Sequence, residues 1–535
     1  MAPQNLCFSD FPAEIIAHIF LQGTISQQAT SPYSLPYPFL VSEVCTTWRN
    51  IALSSPALWT LVVVPIFYQP AGLFCMTLTN NWIKRSGALP ISVILDARFS
   101  WRRAEDDKEV VSPGFITMML QSVVESAGDK LRRLDICIPY HPTFGHKDYA
   151  LLERATSLEQ LRVVSASMPM ASELVSGAFF DRSDLWDGIS LPQLRKLGWS
   201  SSGIPLLTNL TTFSAPALSM TYDEMGTFFR GSPHISHLIL DDIRPIRGVP
   251  QPPPDERIQV PSLTHVAIKC YREIGLHEAH VFTFLHIDHL TYLELDGTMS
   301  VTQLFGSSIP HIAESLRDLM IANYSDASLM KNSVDGKRDV AAIQSFHGLQ
   351  HFYFLNAPSQ IFKVNLTELQ TSRNSSIRRS GSISRLRSEQ TRESRIDPTL
   401  AVYQRARPKN IINESTLTGS EPSMWPCLRH VTFDSLAALD ISILCNWIKD
   451  HRTLAVLDLS DMALRHVVGS LRRRGDVIFP AGWKPYAPLI HNEDTEALRD
   501  VKDWISARVQ LRVMKEKCCG MLYNRVFNAL GEELP

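Results

Sequence analysis

A single hexapeptide pattern, apolar-x-x-apolar-x-apolar, recurs along this chain and limits its fold more than any other feature. It occurs as LRRLDI from Leu131, LEQLRV from Leu158, LRKLGW from Leu194, LTTFSA from Leu210, ISHLIL from Ile235 and LTHVAI from Leu263. It continues as LTYLEL from Leu290, LRDLMI from Leu316, LQHFYF from Leu349, LRHVTF from Leu428 and LAVLDL from Leu454. Successive starts lie 27, 36, 16, 25, 28, 27, 26, 33, 79 and 26 residues apart, so six of the ten intervals fall between 25 and 28. One short strand, one helix and two connections fill a unit of that length.

The fourth and sixth positions alternate inward along a strand, while a second apolar cluster such as Val281, Phe282, Phe284 and Leu285 supplies the helical side. No single unit can bury both apolar faces, so the units must stack. The expected fold is α/β, an irregular leucine-rich-repeat solenoid with one long concave strand surface. Polar side chains between the inward positions then face a partner. Thr291, Tyr292, Glu294, Gln350, His351 and Tyr353 are the substrate-binding candidates by that geometry.

Composition removes several alternatives. Of 535 residues, 44% are hydrophobic and 20% charged, which is too apolar for a disordered chain. With 52 basic against 54 acidic residues the net charge is −2, so bulk charge argues for neither nucleic acid nor membrane as a partner. Nine sparse cysteines include one close pair, Cys518 and Cys519, and no C-x-x-C spacing, which points to a reducing compartment, cytoplasmic and/or nuclear. The uncharged stretch from Asn50 to Ile83 is long enough to span a bilayer, but Pro56, Pro65 and Pro70 break it into pieces of a soluble fold.

No catalytic signature is present: neither G-x-S-x-G, nor a phosphate-binding glycine loop, nor H-E-x-x-H. His277, His280, His286 and His289 read as solvated or capping histidines of a repeat loop. The expectation is a non-enzyme without cofactor or metal. Between Thr371 and Lys409, ten basic residues face three acidic ones among many serines, so residues 368–422 read as a disordered Arg/Ser-rich insert. Arg379 precedes Ser382 by three and Arg385 precedes Ser388 by three, which makes both serines phosphorylation candidates. Pro245 to Pro254 reads as an extended loop, and Leu498 through Val509 as an amphipathic capping helix.

The head of the chain follows a different pattern. Phe11, Ile15 and Ile19 share one helical stripe, preceded by cap residues Ser9 and Asp10, with Pro12 in the first turn. A loop is expected from Gly23 to Pro38, then a second helix carrying Leu40, Val44, Trp48 and Ala52, and a turn at Ser55-Pro56 leading to Leu58 and Trp59. The strings DFPAEIIAHIF and VSEVCTTWRNIALSSPALWTLV resemble the F-box, and NWIKRSGALPISVIL looks like the segment that follows it in mushroom-type fungal members.

The resemblance implies docking on a Skp-type adaptor of a cullin–RING (SCF-type) ubiquitin ligase, with the rest of the chain capturing a protein substrate. Adaptor-binding candidates are Pro12, Ile15, Ile19, Phe20, Leu40, Val44, Trp48, Leu53, Leu58 and Trp59. The chain accordingly divides into an F-box-like module (1–65), a connecting segment and solenoid cap (66–130), repeats (131–367), the insert (368–422), last repeats (423–470) and a C-terminal cap and tail (471–535). The alternative is a leucine-rich interaction scaffold with no ligase role.

Overall fold

The computed structural model describes residues 11–30, 37–66, 69–97, 113–138, 146–165, 189–199, 207–215, 222–241, 256–270, 280–297, 301–305, 308–323, 342–343, 345–355, 425–434, 448, 451–460, 463, 502–503 and 505–514. The insert 368–422 with Ser382 and Ser388, the proline loop 245–254, His277, Cys518 and Cys519 lie outside them. The chain forms two compact units, Met1–Tyr324 with Cys518–Pro535, and Ser325–Lys517.

In the first unit the strands pair in parallel and in chain order. They are β1 (Leu61–Pro65), β2 (Ile91–Asp96), β3 (Leu131–Ile138), β4 (Gln160–Ser165), β5 (Lys196–Trp199), β6 (Thr212–Ala215) and β7 (His237–Leu240). After β8 (Ile258–Gln259), the ladder continues through β9 (His265–Cys270), β11 (Tyr292–Gly297) and β12 (Asp318–Ala322), while β10 (Leu285–His286) pairs with β8 in a small sheet of its own. In the second unit β13 (His351–Leu355), β14 (His430–Asp434), β15 (Val456–Ser460) and β16 (Gln510–Met514) pair in the same parallel manner. Among the described residues no helix is long and apolar enough to cross a membrane.

Ten of the eleven hexapeptides form strands that begin two residues after their first apolar residue, and in β3 the strand starts on Leu131 itself. First, fourth and sixth positions are all buried: in β11's unit Leu290, Leu293 and Leu295 are 0%, 0% and 3% exposed. Full burial of each such side chain contributes about 1.5–3 kcal/mol, which a lone strand could not collect.

The step between rungs is reinforced just ahead of each strand, at the second hexapeptide position. Thr211, Ser236, Thr264 and Thr291 each donate a hydroxyl to the carbonyl one rung earlier, at Arg195, Thr211, Ser236 and Thr264, over 3.0–3.3 Å. Each of these carbonyls also accepts two backbone N–H groups of the next rung, so the hydroxyl adds a third contact to a link the backbone already makes.

At the head, α1 (Ala13–Thr30), α2 (Tyr37–Val44) and α3 (Thr46–Leu53) pack on one another, and a 3₁₀ turn, Pro56–Trp59, leads into β1. The expected loop from Gly23 is instead the last part of α1. Gly23 allows this, because any Cβ there would collide with the Tyr37 ring at the start of α2. Pro38 sits in the first turn of α2, where its missing N–H costs no helical bond. At the far end, Lys502, Asp503, Ile505 and Ser506 are helical, but the chain then turns into β16, a strand outside the hexapeptide series.

Replacing Thr264 by valine removes one rung hydroxyl and should cost roughly 0.5–1.5 kcal/mol in urea unfolding, whereas Leu293→Ala should cost about 2–5 kcal/mol. Equal effects would mean that the hydroxyl column and the leucine column are not separable contributions.

Candidate functional site

The apolar side chains of the head fall into two sets. Ile16, Phe20, Val41, Leu58 and Trp59 are interior, each 3% exposed or less. Phe20 packs against Trp48 with ring centroids 5.0 Å apart. Phe39, Trp59 and Trp82 form a three-ring cluster with centroids 4.9–6.0 Å apart, joining the head to α4 (Gln69–Arg85). The Trp59 indole donates to the Ala52 carbonyl at 2.8 Å, and the Arg85 guanidinium lies 4.6 Å over the Trp59 ring. Such edge-to-face aromatic packing fixes the head on the first rung of the ladder.

The other set faces outward. Ile15 and Ile19 run along α1 at i, i+4 spacing with Phe11 just ahead of the helix, Leu40 and Val44 have the same spacing on α2, and Leu53 ends α3. Their exposures run from 40% to 61%, and six of the nine exposed large hydrophobics among the described residues lie in these first 53 positions. Large apolar side chains gathered so densely in one small module mark an interaction surface. Roughly half of each side chain remains to be covered, about 1 kcal/mol apiece, so the six supply about 6 kcal/mol of gross attraction. That is less than association costs in many complexes, so polar contacts at the rim must contribute as well.

Of the ten adaptor-binding candidates, Pro12, Ile15, Ile19, Leu40, Val44 and Leu53 are therefore on the outside, and Trp48 is half-buried against Phe20. Phe20, Leu58 and Trp59 are in the interior, where they can support a contact surface but not touch a partner. Phe11, read in the sequence as the first residue of this stripe but not as an adaptor-binding candidate, is exposed as well. Its place four residues before Ile15 was the available signal.

On the strand face, Tyr292 and Glu294 are buried, with the phenol donating to the Glu294 carboxylate at 2.9 Å. Thr291 sits one residue ahead of the strand in the hydroxyl column. In the second unit Gln350 precedes β13 and its carbonyl accepts from the backbones of Arg429 and His430, while His351 and Tyr353 are half-buried on the face. Both rings lie 5.8 Å from His430, whose Nε2 is 2.7 Å from the Asp458 carboxylate.

His237, His265 and His430 were missed, yet they share with Tyr292 and His351 the third hexapeptide position. Aligning the repeats would have shown the column. In the first unit it is a stack: His237 on His265 at 4.3 Å and 19°, His265 on Tyr292 at 5.7 Å and 20°. The Nδ1 atoms of the two histidines lie 2.9 Å from Ser236 Oγ and Thr264 Oγ1. Each hydroxyl has one proton and two acceptors in reach, the preceding carbonyl and the ring Nδ1, and the contact holds the ring in place in either tautomer.

Burial, then the neighbouring His265 and Lys196, push His237 down to about 4. Burial likewise raises the Asp241 carboxyl, against the opposing pull of Lys269 and Arg162. Of the sequence-flagged histidines, His280 caps the helix Val281–Phe284 and His286 pairs with Asp288 at 2.7 Å. Among the described residues no group of three or more His, Cys, Asp or Glu is placed to hold a metal ion.

No family model matches the sequence, and no curated protein matches it either. Among solved structures the chain is similar to the yeast Rad7–Elc1 complex, with a TM-score of 0.29 and 10% identity over 84% of this chain and 88% of that one. A likeness of that size carries no argument about function.

Because His237 holds its proton less tightly folded than unfolded, the unfolded chain takes up protons first as pH drops below 6.5. Stability should thus fall between pH 6.5 and about 4, and His237→Phe, which keeps the stack, should flatten part of that slope in urea midpoints. An unchanged slope would contradict the buried neutral imidazole.

Proposed function

We propose that this chain is the substrate-recognition adaptor of a cullin–RING ubiquitin ligase. The head docks on a Skp-type adaptor through Phe11, Ile15, Ile19, Leu40, Val44 and Leu53, and the strand face takes a protein substrate. The chain performs no bond chemistry itself. The observation that carries the reading is the two-sided head: one apolar set closes the ladder through Trp59 and Trp82, while a second set stays outside. A module that served only to cap the repeats would have no use for the second set.

The strings quoted for the F-box resemblance agree with this division, since five of the six outer residues come from them and Leu40 immediately precedes the second. Large apolar anchors surrounded by polar rim residues are the usual form of a stable protein contact.

Co-purification with a Skp-type adaptor tests the reading. Ile15→Asp and Val44→Asp place charges on the outer set and should abolish retention without lowering the melting temperature. Leu58→Asp should unfold the head and lose retention for that reason, which the melting curve separates. Retention unchanged in both outer-set variants, or no adaptor retained by the unaltered chain, would leave the interaction scaffold as the better account.

A further inference from the structure

The edge of the first unit where the strands begin carries a row of repeated turns. Ahead of β5, β6 and β7 the chain makes the same tight turn three times, closed by the amides of Leu194, Leu210 and Ile235 donating to the carbonyls of Leu191, Leu207 and Ser232. The apolar residue that opens each hexapeptide is fully buried and anchors its turn from below. The residues on either side of it stay at the surface: Gln193, Asn209 and His234 before it are exposed, as is Arg195 after it, and Thr211 is half-buried. With rungs about 4.8 Å apart, three stacked turns make a strip about 10 Å long.

Between the two rows lies a cleft of about 310 Å³, lined by Pro192, Gln193, Arg195, Asn209, Thr211 and His234. Asn209 donates one amide N–H to the Pro192 carbonyl at 2.7 Å and Thr211 gives its hydroxyl to the Arg195 carbonyl at 3.1 Å, which ties the three turns together. The side chains of Gln193, Arg195 and His234 make no hydrogen bond or ion pair among the described residues. Residues 191–199, 207–215 and 232–240 contain no aspartate or glutamate. One rung earlier on this edge, the Glu159 carboxylate is taken by Arg132 at 2.9 Å, on the side away from Arg195. An exposed guanidinium with no carboxylate on it, set among further N–H donors, is a site for an anion.

We propose that this cleft binds a phosphate monoester carried on a protein partner, with the Arg195 guanidinium taking two of its oxygens and His234, Asn209 and Gln193 supplying N–H groups to the rest. A carboxylate has two oxygens and would leave part of this donor set unused, whereas a phosphate offers three. At about 30 Å³ per water, the cleft has the room of roughly ten waters, enough for a phosphate group and the side chain that carries it. The assignment concerns the edge of the ladder, apart from the head and the strand face, and stands whether or not the head docks as proposed.

Three labelled peptides with the same neutral flanks and a central phosphoserine, glutamate or serine provide the test. In fluorescence anisotropy with the full chain at low salt, the phosphoserine peptide should bind at least about tenfold more tightly than the serine peptide, and more tightly than the glutamate peptide. Arg195→Ala should erase that preference and His234→Ala should reduce it about threefold, both without a fall in melting temperature, because both side chains are exposed. Arg132→Ala, two rungs away on the same edge, should leave it intact. Equal binding of the phosphoserine and serine peptides, a glutamate peptide that binds as well as the phosphoserine one, or a preference that survives Arg195→Ala in folded protein overturns the proposal. So does a preference lost equally in Arg132→Ala, because the contact is then with the general charge of the edge. Inorganic phosphate that competes as well as the unlabelled phosphoserine peptide would assign the cleft to the free ion and overturn the protein partner.

Discussion

Every rung of this protein depends on its neighbour for burial. Three apolar residues per hexapeptide point into the same interior, as Leu263, Val266 and Ile268 do beside Leu290, Leu293 and Leu295, and each column is closed by the strand on either side. Parallel pairing with the return segments on one side is the only arrangement that collects this burial for short strands joined by helices. Such a ladder has an exposed first strand, and β1 has a paired strand on one side among the described residues. The head resolves that end. Its Phe39, Trp59 and Trp82 cluster sits where α4 meets β1, so closing the ladder and presenting a docking surface are two faces of one small module.

Polar groups follow the same repeat. The hydroxyl column of Thr211, Ser236, Thr264 and Thr291 feeds the preceding carbonyls and also orients the adjacent imidazoles. One set of side chains therefore links the rungs and holds the adjacent rings in place. A face built from locked side chains loses little rotamer freedom when a partner binds, which favours recognition through complementary charge and shape.

Much of the ladder was legible in the sequence because a six-residue motif states both period and burial: the eleven hexapeptides all became strands. Strands β1 and β2 were not legible, since LVVVP and ISVILD lack the motif and extend the ladder upstream of Leu131. β16 was hidden for the same reason, its alternation of Leu511 and Val513 following directly on a helical stretch. In the head, periodicity named the apolar residues but could not sort them. Trp59 is internal because Trp82, more than twenty residues later, packs on it, and that contact is not a local property of either helix. Ile15 and Ile16 are neighbours in sequence, yet 48% and 2% exposed, a distinction set only by how α1 lies on α2 and α3.

The central claim is that the outer apolar set of the head is a surface awaiting a partner while the inner set is already satisfied. Hydrogen–deuterium exchange on the full chain, with and without a Skp-type adaptor, tests this most directly. The account predicts new protection confined to the amides of residues 13–53, with β1 and β2 unchanged. Protection absent from the head, or arising only in the strands, would contradict it.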